Sequence, residues 1–176
     1  RTAVINSVLT VSFLMQEVLV SKLLEYVRDN NPDLLFTLEA ADKLRVWLYQ
    51  KAESVQPLSE QLKKDNQPQY IIIEQCLMEA TVELRPSRYS YILNLLEQEF
   101  EANYNSLVEY GLLQHEIINM IGYCEPVFDD LKFSEENEGN RFIHYAITGM
   151  ISEYLQSNSE NENVSNELQQ PTKAEG

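Results

Sequence analysis

Glycine is scarce in this chain, with five in 176 residues. Hairpins and barrels use glycine where the backbone must take a positive φ, and the alternating β-branched runs that such turns would separate are nearly absent here. The exception is Tyr70-Ile71-Ile72-Ile73, a run short enough for a strand, but residues 74–83 continue it at helical spacing. Cysteine is almost as rare. Cys76 and Cys124 stand far apart, outside any CxxC or Cys/His cluster, which excludes a disulfide scaffold and argues against a zinc site. Each is embedded in an apolar helical pattern and reads as a buried free thiol, in keeping with a reducing, cytoplasmic compartment. Basic residues are also few: 13 Lys and Arg face 28 Asp and Glu, for a formal net charge of −15. That field opposes nonspecific attraction to nucleic acid or to an anionic membrane. The close basic pairs Arg85 with Arg88 and Lys63 with Lys64 are too isolated to form a phosphate track. The apolar run in residues 1–14 is interrupted by Asn6, Ser7, Thr10 and Ser12, and is too short to span a bilayer.

What the chain does have is helical periodicity. A hydrophobic content of 44% suffices for one real core, and the length suits one domain. The expected architecture is therefore all-α: a single-domain bundle of five to six helices at residues 15–156. Residues 1–14 form an N-terminal extension of uncertain status, with Met15 as an alternative start. Residues 157–176, rich in Ser, Asn, Glu and Gln, lack the apolar surface to offset their ordering entropy and are expected to be a disordered tail. The sequon Asn163-Val164-Ser165 falls in that tail and carries no weight without a secretory route.

The organising stretch is residues 85–104. Pro86 disfavours helical geometry at Arg85, Ser87 can cap the helix that follows, and Tyr89, Ile92, Leu93, Leu96 and Phe100 share one face. Upstream, Val18, Leu19, Leu23, Tyr26 and Val27 form a stripe that Asn30-Asn31-Pro32 terminates. A second helix is expected from Thr37, its hydroxyl capping, through Ala40, Ala41, Leu44, Trp47 and Leu48, with Trp47 as core filler. Residues 54–69 read as a short surface helix opened by Pro57, or as an extended crossover. A helix at 68–84 follows, turning Ile72, Ile73, Cys76, Leu77, Ala80 and Leu84 inward. After the central stretch, residues 106–111 read as a link and 113–131 as a helix that Pro126 kinks. Residues 133–139 read as an acidic loop. The last helix, 140–156, carries Ile143, Ala146, Ile147, Met150, Ile151 and Tyr154 inward, with Gly149 admitting a close neighbour.

Leu84-Arg85-Pro86-Ser87-Arg88-Tyr89 leading into Leu96-Glu97-Gln98-Glu99-Phe100, then Cys124-Glu125-Pro126-Val127-Phe128, then Thr148-Gly149-Met150-Ile151 with Tyr154-Leu155, together resemble a family of short uncharacterised helical proteins. That family is common in Bacteroidetes and often encoded near conjugative transposons. The resemblance covers about residues 16–155. Its motifs are packing motifs and imply a helical fold without an active site. The chain departs from the pattern where Asn31 replaces a His before the proline, where Pro86 replaces an aromatic before the serine, and where 54–69 is longer.

Few residues carry candidate chemistry. His115-Glu116-Ile117-Ile118-Asn119 approaches the metalloprotease pattern, but Asn119 stands where a second histidine ligand is required. His115 therefore reads as a surface or helix-start residue, and His144, beside Tyr145, as a lone exposed or hydrogen-bonded imidazole. Glu79 with Glu83, and Glu97 with Glu101, have the spacing of one helix face, yet the Glu-x-x-His partners of a carboxylate-bridged metal site are missing. No phosphate loop, nucleophile elbow or Ser/His/Asp arrangement is present. The sequence thus favours a non-enzymatic accessory or protein-interaction module with no cofactor and an unknown protein partner, whose negative field could imitate DNA. The competing reading is an enzyme with a bundle-interior site drawn from Glu97, Glu101, His115 and His144.

Overall fold

The computed structural model describes the backbone of residues 2–167 and the side chains of residues 14–158. Among the described residues the chain is all-α, with no strand, and Ile71 to Ile73 lie in a helix. Nine α-helices and one 3-10 turn occur among these residues, where five to six helices were expected. They are α1 (Thr2–Asn30), α2 (Pro32–Ala40), α3 (Leu44–Ser54), α4 (Gln56–Lys64), α5 (Gln69–Ala80), the 3-10 turn Val82–Leu84, α6 (Arg88–Glu99), α7 (Glu101–Glu109), α8 (Leu113–Asp130) and α9 (Arg141–Glu167). The chain forms two compact units, Arg1–Ser90 and Tyr91–Gly176. The division falls within the first turn of α6.

In the first unit, α1 buries Met15, Leu19, Leu23 and Val27, one residue every fourth position. Val18, expected on this stripe, is exposed, because the buried face is centred one position away. Pro32 cannot donate a backbone hydrogen bond and disfavours helical geometry at Asn31, so α1 stops and α2 opens with Pro32. Thr37 does not cap a helix; its Oγ1 donates to Asp33 O inside α2. The helix expected from Thr37 onward is two helices, and Ala40 and Ala41 at the break are exposed. Residues 56–64 are a short helix with Pro57 in its first turn. Leu58 and Leu62 of α4 pack on a core formed by Met15, Leu19, Leu48, Ala52, Ile72 and Cys76 among others.

The second unit buries Ile92, Leu95 and Leu96 of α6, five residues of α8 from Ile117 to Phe128, and Ile143, Ile147 and Ile151 of α9. Tyr89, Leu93 and Phe100, expected inward, are half-buried, and Leu95 takes their place. Tyr91 sets its ring edge-on to Phe128 and Phe133, with centroids 6.1 and 4.9 Å away. The segment expected as a link at 106–111 is helix as far as Glu109, so α7 is a full element. Pro126 sits inside α8, and residues 133–139 are a loop. Gly149 admits no close neighbour: nothing lies within 4 Å of where its Cβ would sit. The described backbone of α9 continues through Glu167, into the segment expected to be a tail; the rest of that tail lies outside the described residues. The 1–14 segment is continuous with α1 from Thr2.

Four helix ends close in the same way. Asp42, Asn66, Gly111 and Lys132 have φ of 54°, 54°, 69° and 50°. In each case the following N–H reaches back across the last turn: Lys43 to Leu38 O, Gln67 to Leu62 O, Leu112 to Leu107 O and Phe133 to Phe128 O, at 2.9–3.0 Å. These are left-handed helix stops that satisfy carbonyls otherwise left open. Gly111 meets the requirement without strain, and Asp and Asn tolerate it, but Lys132 has a Cβ in a conformation that costs about 1–2 kcal/mol. Lys132→Gly is therefore expected to stabilise the protein by about 0.5–1 kcal/mol, the gain reduced by glycine's freedom in the unfolded chain, and Gly111→Ala to destabilise it by about 1 kcal/mol. Urea unfolding of the two variants measures both signs.

Candidate functional site

The four residues singled out from the sequence, Glu97, Glu101, His115 and His144, fall on four different helices, α6, α7, α8 and α9. His115 is exposed in the first turn of α8, and Asn119, one turn on, is exposed as well. His144 is half-buried on α9, its Nε2 3.1 Å from Oε1 of Glu99 rather than from Glu97 or Glu101, and its ring lies 5.8 Å from that of Tyr145. Glu97 and Glu101 are both exposed, and the break at Phe100 puts them on different helices. Glu79 and Glu83 are separated likewise by the end of α5. Glu83 instead meets Lys51 at 2.6 Å, a hydrogen bond and charge that hold its carboxyl below the usual range. Among the described residues, no group of three or more His, Cys, Asp or Glu is placed to hold a metal ion.

The structure assembles polar contacts that sequence reasoning reached only in part. At the corner between α1 and α2, Ser87 Oγ donates to Asn30 O and accepts the Ser90 N–H at 2.9 Å, so the expected cap of α6 is also a tie to the end of α1. Asn31 is buried, and its Nδ2 donates to Leu84 O at 3.4 Å. Arg85 reaches Met78 O at 3.2 Å. Asn31 and Pro86 thus belong to segments that meet in space. The sequence signal was Asn30-Asn31-Pro32 as a stop and Ser87 as a cap; that one stop receives the other cap was invisible. Burial is the largest influence on Asp33 and pushes its carboxyl up, against the backbone N–H groups of Asp33 and Leu34 and the charge of Arg88. Asn31 Oδ1 and Asp33 Oδ1 are both buried and accept no hydrogen bond, so this corner holds α1, α2 and the 84–87 loop together at some electrostatic cost.

A cavity of about 80 Å³ also lies in the first unit. Met15, Leu19 and Cys76 form its apolar wall, and Glu53, Glu60 and Lys63 its charged rim. Ser59 Oγ lies 3.9 Å from Met15 Sδ, and Cys76 Sγ 3.9 Å from Val55 O. Burial pushes the Cys76 thiol up, outweighing Lys63 and Ser59. The sulfur is therefore a neutral wall atom and a poor nucleophile. Cys124, in the second unit, is pushed up to about 11 by burial alone. Both cysteines are free and buried, as their apolar settings indicated.

In the second unit, Tyr154 donates to Glu116 Oε2 at 2.7 Å and Tyr123 to Glu153 Oε2 at 3.4 Å, while the two tyrosine rings lie 5.6 Å apart. These bonds join α8 to α9, and burial first, then the neighbouring glutamates, raise both phenols. They favour protonated tyrosines, which donate hydrogen bonds and do not act as bases at neutral pH. No family model matches the chain, and no curated protein or solved structure matches it.

The Asp33 carboxyl supplies a pH test. Its affinity for a proton is higher in the folded than in the unfolded chain, so its contribution is most favourable at pH below its unfolded value and is lost as pH rises through the folded one. Asp33→Asn is expected to raise the melting temperature at pH 7, with the difference from the parent vanishing below about pH 3.5, where the acid is neutral in both states. Thermal unfolding followed by circular dichroism across that range checks the sign.

Proposed function

We propose that this chain is a non-enzymatic, acidic helical accessory module that binds another protein, and that the acidity of its second half selects a cationic partner. The distribution of charge carries this reading. Residues 1–90 hold 10 Lys and Arg against 12 Asp and Glu, whereas residues 91–176 hold 3 against 16. No Lys or Arg occurs between Arg88 and Lys132. Net charge of one sign, concentrated in one unit, creates a local field that speeds encounter with a basic surface and opposes nucleic acid and anionic lipid. A stretch this acidic also resembles a polyanion electrostatically, which would suit a partner whose usual ligand is nucleic acid. The resemblance to the Bacteroidetes family supplies a setting, an accessory role in a mobile-element system. No helix among the described residues is long and apolar enough to cross a membrane.

Capture from native cells at low and at high salt tests the reading. The expected result is one or more basic proteins enriched at about 0.05 M salt and depleted at about 0.5 M, where the Debye length falls below 5 Å. Absence of any partner enriched under either condition, or enrichment only of acidic proteins, would count against it.

A further inference from the structure

We infer that α7 and its corner into α8 are the docking face of the proposed module, and that the occupant is a cationic amphipathic helix of another protein; this rests on the preceding reading and deepens it. Helix α7 packs against α8 yet contains no buried residue. Only Tyr104 and Leu107 are half-buried, which leaves the rest of the element to solvent. Val108, Tyr110 and Leu112 are 50%, 73% and 46% exposed. Glu101, Asn105 and Val108 follow one another at steps of four and three, the spacing of a single helix face, and Leu112 lies just past the closure of that helix. The closure at Gly111, with the Leu112 N–H bonded to Leu107 O, fixes the backbone that carries Tyr110 and Leu112. An ordered backbone presenting three exposed apolar side chains is a preformed patch of the kind that marks interaction surfaces. The exposed Tyr110 is an effective anchor, because a tyrosine brings large area at little entropic cost.

The sign of the surrounding charge selects the occupant. Every charged residue from Glu97 through Glu116 is acidic: Glu97, Glu99, Glu101, Glu109 and Glu116. A second copy of this chain would bring like charge to the same patch, and nucleic acid and anionic lipid carry the same sign. A helix with an apolar stripe for Val108, Tyr110 and Leu112, flanked by Lys or Arg facing Glu101 and Glu109, satisfies both features of the face.

The test is fluorescence anisotropy of the full chain against an amphipathic Leu/Lys peptide, with the Leu/Glu peptide of the same pattern as control. The expected result is binding of the Lys peptide only. Val108→Ser with Leu112→Ser should weaken it about tenfold, and Glu101→Gln with Glu109→Gln should weaken it about threefold at low salt while flattening the salt dependence. Phe142→Ser, equally exposed but on α9, should leave binding unchanged. All substituted side chains are exposed, and circular dichroism confirms that the variants keep their helix content. If the Lys peptide binds but the α7 variants bind as the parent does, or if Phe142→Ser weakens binding as much, the docking face is wrong and the reading as an acidic module stands. If neither peptide binds, this inference is overturned, and the capture experiment decides the broader reading by itself.

Discussion

Burial of a narrow apolar stripe, roughly one side chain per helical turn, is the constraint on which the rest of this structure depends. On α1 it is Met15, Leu19, Leu23 and Val27; on α9 it is Ile143, Ile147 and Ile151. Each side chain removed from water contributes about 1.5–3 kcal/mol, set against a backbone ordering cost of about 1–2 kcal/mol for every residue fixed. A stripe this thin leaves little surplus per helix. The long helices and their direct neighbours hold the units together, and short elements such as α4 and α7, which bury nothing fully, depend on them. The interior these stripes seal is dry enough to push the Cys124 thiol up to about 11.

The same constraint separates stability from function. Residues that seal the cores are apolar or, like the two cysteines, chemically quiet. What remains for recognition is charge and the few apolar side chains no helix covers. In the first unit, Lys and Arg nearly balance Asp and Glu, and several basic residues are committed to internal pairs, among them Lys22 with Glu25, Arg28 with Asp29 and Lys51 with Glu83. In the second, acids outnumber bases so strongly that most cannot be paired within the unit. Fold stability gains nothing from that excess, because like charges repel, and a cationic surface would relieve the repulsion.

Helix content was legible because scarce glycine and steady three-to-four spacing point the same way, and Ser87 as a cap followed from Pro86 alone. The breaks were not. Ala40 to Lys43 contains neither glycine nor proline, and its stop depends on Asp42 accepting a left-handed backbone, which sequence signals only weakly. The turn at Phe100 has no breaker residue either. Conversely, Gly111 was read as part of a link when it is the final closure of a helix, and this hid α7. The face of a stripe was legible only roughly: periodicity places Val18 beside Leu19 and Leu93 beside Ile92, yet Val18 is exposed and Leu93 half-buried while Met15 and Leu95 are buried, since adjacent residues are 100° apart on a helix and apolar side chains stand on both sides. Which helices share a core could not be read, because periodicity shows that a face is buried and not against what. Of the candidate site, His115, His144, Glu97 and Glu101 came from partial motif matches that lacked the remaining ligands. The polar corner at Asn30 and Ser87 joins residues far apart in sequence, a pairing that spacing alone does not encode.

The central claim is that α8 and α9 seal the second core while α7 is left as an ordered but lightly anchored face. Native-state amide hydrogen exchange tests it most directly, since local opening costs least where few side chains are buried. The account predicts slow exchange at Ile117 to Phe128 and at Ile143 to Ile151, with protection through α7 lower by at least about tenfold and rising when a cationic peptide is added. Protection in α7 equal to that of α8 and α9 in the free chain would contradict it.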